Sequence, residues 1–147
     1  MTEISEERTG RKRILLDANF LMIPAQYGVD IFSEIERICL FPYELWMPQP
    51  VKEELTRLAS GQGKEGREAR LALALVERKA IPLLGPEEMT PSAGGAKVKN
   101  ADIFMLRIVR RDRDLVATQD RELRRALRER GIPRIVLRKQ RVLEIDW

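Results

Sequence analysis

The sequence predicts an α/β fold built on a mostly parallel sheet. Short apolar runs of strand length alternate along the chain with segments of helical periodicity, the pattern of strands joined by crossover helices. The first such run, 13–17 (RILLD), is continuously apolar up to its final acid, as for a strand covered on both faces. The length of 147 residues suits one domain, and a compact chain of that size buries about two-thirds of its unfolded surface.

Taken in order, residues 1–12 are polar and are expected to be a flexible segment ahead of a single domain over 13–147. After the first strand, Val29, Phe32, Ile35 or Ile38, and Cys39 recur at helical spacing over 29–40. Residues 44–47 read as a second strand closed by Pro48, and Pro50 suits the first turn of a helix running to about residue 59. Residues 61–66 read as a turn, 67–79 as an Ala/Leu-rich helix and 80–84 as a third strand. The stretch 85–99 holds Pro86, Pro91, Gly94 and Gly95 and reads as a mobile loop. A helix over 100–111, a buried strand at 115–117 and a helix over 120–130 ended by Gly131 follow. Runs at 135–137 and 142–145 close the chain. Gly61-Gln62-Gly63-Lys64-Glu65-Gly66 matches G-x-G-x-x-G. A dinucleotide site needs a strand immediately before it; a helix precedes it here, so the match reads as a helix–helix turn. No G-x-x-x-x-G-K-[ST] loop is present, which argues against a nucleotide triphosphatase.

Composition closes other routes. There is no histidine and one cysteine, Cys39. That removes a Ser-His-Asp triad, an imidazole base, His metal ligands, a disulfide framework and Cys-based metal sites. Cys39 lies in the apolar stretch Ile38-Cys39-Leu40-Phe41 and is expected to be a buried small hydrophobe. No apolar run is long enough to span a membrane and the N-terminus lacks an apolar signal core, so a cytoplasmic location is expected. The formal charge is +4, unevenly spread: residues 107–141 carry 13 Lys+Arg against 5 Asp+Glu. A basic C-terminal third points to a polyanion. Arg outnumbers Lys by 20 to 7, which suits phosphate through the planar guanidinium and suits ion-pair networks in a heat-adapted protein equally well.

In an open parallel sheet, ligands bind beyond the carboxyl ends of the strands. Asp17 ends the first strand, Asp120 follows the strand at 115–117, and Asp102 opens a helix. On the helix after Pro48, Val51, Leu55 and Leu58 share a face; Glu54 falls on its flank and Glu53 points away, which makes Glu54 the fourth candidate. Asp102 shares a face with Leu106 and Val109 and is expected to point inward. Each acid has a plain structural use: an Asx-turn for Asp17, helix N-caps for Asp102 and Asp120, and a surface pair with Arg57 or Arg70 for Glu54. Together they point to one end of one sheet. Two carboxylates 4 Å apart repel by roughly 4 kcal/mol at an effective dielectric of 20, so such a cluster calls for a cation or a shared proton. Oxygen ligands without His or Cys select Mg²⁺ or Mn²⁺.

At these residues the sequence resembles the PIN domain nucleases. The matching stretches are ILLDANFLM (14–22), PVKEELTRLA (50–59), VKNADIFML (98–106) and LVATQDRELRRAL (115–127). The resemblance is strongest to stand-alone archaeal members related to pre-ribosomal RNA processing nucleases, through 118–143, and the VapC toxins share the same acids. It implies a three-layer α/β/α fold with about five strands in the order 3-2-1-4-5. It also implies a metal-dependent endoribonuclease that leaves 5′-phosphate and 3′-hydroxyl ends. The family's acidic quartet maps onto Asp17, Glu54, Asp102 and Asp120, with Asn19 and Thr118 as supporting polar groups. Gln119 stands where the family more often has Asn, with little effect expected.

The expected chemistry is phosphodiester hydrolysis of RNA by one or two Mg²⁺ or Mn²⁺ ions held by the four acids. Arg121, Arg124, Arg125 and Arg128 form an expected exposed stripe opposite Leu123 and Leu127, suited to RNA phosphates or simply to solvent. With eight aromatics, base stacking is a minor contribution. Three other roles share this pattern: a toxin ribonuclease held by an antitoxin, a non-catalytic RNA-binding or ribosome-assembly factor, and a phosphatase or flap nuclease. A complete quartet favours catalysis, and the chain is short for a flap nuclease. Homodimerisation is expected only by analogy with the family.

Overall fold

The structure is a computed structural model that describes residues 10–85 and 101–147. Its elements are β1 (Lys12–Leu16), α1 (Ala18–Leu21), α2 (Ile23–Tyr27), α3 (Ile31–Ile38), β2 (Tyr43–Pro48), α4 (Gln49–Ala59), α5 (Gly63–Arg78), β3 (Leu83–Leu84), α6 (Ala101–Ile108), β4 (Asp114–Ala117), α7 (Arg121–Glu129), β5 (Arg134–Arg138) and β6 (Val142–Asp146). Among the described residues the strands form one sheet in the order β3-β2-β1-β4-β5-β6. The pairs up to β5 are parallel, and β6 runs antiparallel to β5. Helices flank the sheet, and Ile14, Leu15 and Leu16 are all fully buried. Three consecutive buried residues require cover on both faces, as the continuous apolar run predicts. Among the described residues no helix is long and apolar enough to cross a membrane.

The order expected from the resemblance is present, with one strand added. The five-strand expectation includes β5 and leaves out β6, although the closing run at 142–145 marks its place. The β5–β6 turn places Lys139 and Gln140 both at φ 55°, a left-handed conformation that Asn-Gly normally signals. Without that dipeptide the chain gives no hairpin cue. The turn expected at 61–66 is shorter, because α5 already begins at Gly63. The short helices α1 and α2 are additions to the expected elements. The helix expected over 29–40 is trimmed to α3, whose N-cap Asp30 accepts from the N–H groups of Phe32 and Ser33 at 3.1 and 3.2 Å. Apart from Gly85, the loop expected over 85–99 lies outside the described residues, as do Asn100 and residues 1–9. Cys39 is buried and its thiol is pushed up to about 11 by desolvation, as expected of a small core hydrophobe.

The register of β1 against β4 sets the geometry of the whole. Arg13 pairs with Asp114 and Leu16 with Ala117. At the first of these positions the Arg13 guanidinium donates from Nε and Nη2 to the two Asp114 carboxylate oxygens at 2.9 and 3.0 Å. Asp114 also accepts from the Arg110 N–H at 2.8 Å and from Arg113 Nε at 3.2 Å. The pair is buried and multiply hydrogen-bonded, the condition under which buried charge is tolerated.

The helical hairpin α4–α5 is closed by the G-x-G-x-x-G stretch. Arg70 Nη1 donates to the carbonyls of Ala59 and Gly61 at 2.7 and 3.2 Å, satisfying the free end of α4. Gly66 lies so close to the α4 terminus that a Cβ there would sit 2.2 Å from the Gly61 carbonyl oxygen. The third glycine of the motif thus serves backbone approach between helices and has no phosphate to meet. Gly66→Ala is expected to destabilise the fold by about 2 kcal/mol through this overpacking, a fall of several degrees in Tm by calorimetry. An unchanged Tm would show that the hairpin relaxes without cost.

Candidate active site

The strand order reverses between β1 and β4: β2 and β3 lie to one side, β5 and β6 to the other. A sheet opens a crevice at such a switch point, beyond the carboxyl ends of its strands. A cleft of about 480 Å³ lies there, with Asp17, Glu54, Asp102 and Asp120 all on its walls. Asn19 lines it as well. All four acids and one of the two supporting residues named from the sequence therefore come to one place.

Asp17 follows β1 directly and caps α1, its Oδ1 accepting from the Ala18 N–H at 2.9 Å. Across the switch point, Thr118 follows β4 and is fully buried. Its hydroxyl donates to Asp17 Oδ2 at 2.6 Å. A hydroxyl has one proton, so Thr118 Oγ1 is left free to accept, and it does so from the Asp120 N–H at 3.0 Å. One side chain thus ties the two strand ends together. Asn19 reinforces the link: its Oδ1 accepts from the Gln119 N–H at 2.9 Å, and Gln119 Nε2 donates to the Asn19 carbonyl at 3.3 Å. Asp120 caps α7, its Oδ1 accepting from the Leu123 N–H at 3.0 Å.

The electrostatics reflect burial first and crowding of like charge second. Asp17 is 4% exposed. Burial raises its pKa above the ordinary carboxylate value, opposed by the Thr118 and Ala18 hydrogen bonds and increased by the charges of Glu54 and Asp120. Asp102 is pushed up to about 7, first by desolvation, then by the charges of Asp17 and Asp120, a hydrogen bond shared with Asp120, and the charge of Glu54. Asp102 therefore feels the other three acids, and Asp17 feels Glu54 and Asp120.

The structure refines two sequence expectations. Glu54 is half-buried and couples to Asp17 and Asp102, while Glu53 is exposed. Yet Glu53 does not point away: it also lines the cleft, with Pro50 and Arg57. On the α4 wheel Pro50, Glu53, Glu54 and Arg57 share an arc of about 100°. The arc borders the buried face of Val51 and Leu55 and is a polar face of its own, a signal that a search of the apolar flank alone misses. On α6 the buried face is Ala101, Phe104, Met105 and Ile108, so Asp102 stands at its edge with Leu106 and Val109. The arginine stripe is uneven. Arg121, Arg125 and Arg128 are exposed, but Arg124 is half-buried beside Leu123 and Leu127, with its Nε buried and without a partner. None of the four lines the cleft.

Among the described residues no three acids stand close enough to enclose a metal ion by themselves. The cleft offers carboxylate oxygens on several walls, with room between them. That arrangement fits Mg²⁺ or Mn²⁺, which bind through one or two carboxylates and complete their shell with water and phosphate oxygens. It does not fit a soft or tightly caged metal.

Comparison with known proteins agrees with this geometry. Residues 14–140 match the family model described as a PIN like domain. Ribonuclease VapC4 of Methanocaldococcus jannaschii is 32% identical over 136 residues, covering 90% of this chain and 95% of that protein. The structure of the PIN domain endonuclease Utp24 superposes with a TM-score of 0.70 at 21% identity, over 91% of this chain and 90% of that one. The VapBC-1 structure from nontypeable Haemophilus influenzae gives a TM-score of 0.52 at 19% identity, over 80% of this chain and 93% of its own. A family match across almost the whole chain, a relative of similar length and a shared fold lead to one conclusion: this chain belongs to the PIN-like domain family.

Proposed function

We propose that the protein is a metal-dependent endoribonuclease. The observation that carries this reading is the meeting of Asp17, Glu54, Asp102 and Asp120 on one cleft at the sheet's switch point. The relative named a ribonuclease supports RNA as the substrate. One or two of Asp17, Asp102 and Asp120 would bind Mg²⁺ or Mn²⁺ directly and the rest through its water shell, with Glu54 as a further ligand or as an orienter. When bound, such an ion lowers the pKa of a bound water and offsets the charge of the phosphoryl transition state.

The chain's own residues have three tasks. Thr118 and the Ala18 N–H hold the Asp17 carboxylate in one orientation and oppose its tendency to take up a proton. Asp102 and Asp120 share a hydrogen bond while the cleft carries only protein charge, so binding a cation there displaces a proton. Arg57 supplies positive charge on the wall that carries Glu53 and Glu54. It suits a non-bridging phosphate oxygen that the acids would otherwise repel.

Of the finer roles, that of a VapC-type toxin is favoured by the relative's name. An antitoxin partner belongs to this reading. A role in ribosomal RNA processing, which the sequence puts first with the toxin as its alternative, is the second reading.

Single-stranded RNA with Mn²⁺ or Mg²⁺ is expected to be cleaved by the wild type, and cleavage is expected to stop with chelator. Asp17→Asn and Asp102→Asn are each expected to lose at least about a hundredfold in kcat/KM, as for loss of a group that stabilises transition-state charge. Full cleavage by both variants would overturn the site assignment. Repeating the assay with a small co-encoded protein separates the roles, since a toxin is silenced by its antitoxin and a processing enzyme is not.

The crowded acids make a second expectation. Asp102 has a pKa near 7 in the fold and an ordinary value of 3.8. The folded state therefore holds a proton that the unfolded chain releases, and stability falls as pH rises from about 4 through about 7. Asp102→Asn removes that charge. In metal-free buffer it is expected to raise stability by about 1–2 kcal/mol at pH 8, below the full linkage value because the carboxyl is only half-buried. The gain should be smaller at pH 5. Thermal melts at both pH values check this; an equal gain at both, or none, would contradict the electrostatic picture.

A further inference from the structure

A second basic surface stands away from the cleft. α6 and α7 both start at the cleft, beside Asp102 and Asp120, and both end about 12–13 Å away at 1.5 Å per residue. A groove of about 570 Å³ opens at those far ends, lined by Arg111, Arg128, Glu129, Arg130, Gly131 and Ile132 with Val109.

The arginines around this groove differ in what they touch. Arg130 Nη1 donates to the Leu106 carbonyl. Arg113 is paired with Asp114 at 3.2 Å and Arg110 with Asp112 at 3.6 Å. Those pairs engage the nearby aspartates. Among the described residues, the exposed side chains of Arg111 and Arg128 make neither a hydrogen bond nor an ion pair. The α7 dipole favours a cation at its end and accounts for Arg128. It does not account for Arg111, which lies in the turn before β4.

Arg111 also has a defined neighbour. Its guanidinium lies over Gly131, where an added Cβ would meet Nε at 3.2 Å and Cζ at 3.6 Å. That neighbour is bare backbone and not an acid. A guanidinium that no acid engages keeps its donors for a phosphate. Between groove and cleft, Arg121, Arg125 and Arg128 are exposed at four- and three-residue spacing, one row along α7. A nucleic-acid strand seated in the cleft has a line of positive charge to follow.

We infer that the Arg111–Arg128 groove is a second phosphate-binding surface that grips the RNA backbone several nucleotides from the scissile bond. The inference rests on the nuclease reading for the identity of the strand. It gives the enzyme a preference for long over short RNA that the cleft alone would not have.

The test compares wild type with Arg111→Gln and Arg111→Glu, after circular dichroism shows that each folds. Affinity is measured in chelator, and cleavage in Mn²⁺, on a long single-stranded RNA and on an oligonucleotide too short to reach from cleft to groove. On long RNA, Arg111→Gln is expected to weaken binding and raise KM several-fold with kcat kept. The slope of log affinity against log salt should become shallower by about 0.7, the value for one phosphate no longer neutralised, and Arg111→Glu should weaken binding further. On the short oligonucleotide neither variant should differ from wild type. Equal losses on both lengths, or no loss on long RNA, would overturn the inference. So would polyglutamate displacing long RNA as well as poly(U) does, which would assign the groove to an acidic protein. A wild type that binds long RNA in this length-dependent way without cleaving it would sink the nuclease reading and leave the surface standing.

Discussion

The site depends on one register, that of β1 beside β4. Residues 101 apart in sequence meet at both ends of this strand pair: Arg13 with Asp114, and Asp17 with Thr118. Between them lie the fully buried Ile14, Leu15 and Leu16 against Leu115, Val116 and Ala117. A slip by one residue would leave a buried guanidinium without its carboxylate and turn every one of these side chains to the other face of the sheet. A buried ion pair adds little net stability over an apolar pair of the same volume. Its value here lies in excluding the wrong register, since no shifted alignment satisfies both polar contacts at once.

Function follows from that alignment. Because β1 and β4 end level, Asp17 and Thr118 emerge together, and the three-residue link to α7 delivers Asp120 to the same mouth. α4 and α6 add Glu54 and Asp102 from the walls. The resulting cleft works against stability, since its acids repel one another and Asp102 is driven toward protonation. Asp17, Thr118, Asn19, Gln119 and Asp120 form a hydrogen-bonded frame that spans residues 17–19 and 118–120. That frame and the buried core keep the cleft assembled in spite of the repulsion, and a divalent cation would relieve it. The elevated Asp102 pKa follows from this arrangement, and so would the metal affinity proposed for the cleft.

Much of this is legible in the chain. The uninterrupted run at 13–17 signals a doubly covered strand because a parallel strand needs no polar face. Asp17, Asp102 and Asp120 can be placed because each stands at a strand end or helix start, where position along the chain fixes position in the sheet. The runs of β5 and β6 are legible at 135–137 and 142–145, but the turn that pairs them is not, because Lys139 and Gln140 adopt left-handed backbone without the residues that favour it. Glu53 and Arg57 escape a reading of the sequence because their face of α4 meets a cleft formed by other elements, and helical periodicity reports burial against the core only. Arg124 is separable on the wheel, about 60° from Leu127 where Arg121, Arg125 and Arg128 stand about 100° or more away, and reading the four arginines as one stripe passes over its partial burial. The Gly66 contact shows the same limit as Glu53 and Arg57: the motif is visible, but the carbonyl it approaches is set by how two helices fold back on each other.

We propose that the β1–β4 register assembles a carboxylate site for a hard divalent ion. Crystals soaked in Mn²⁺ and measured at the manganese absorption edge test it without reference to any substrate. The expected result is anomalous density in the cleft, within coordination distance of at least one of Asp17, Asp102 and Asp120, and absent from the double variant Asp17→Asn/Asp102→Asn. Manganese found elsewhere on the surface with the cleft empty would contradict it.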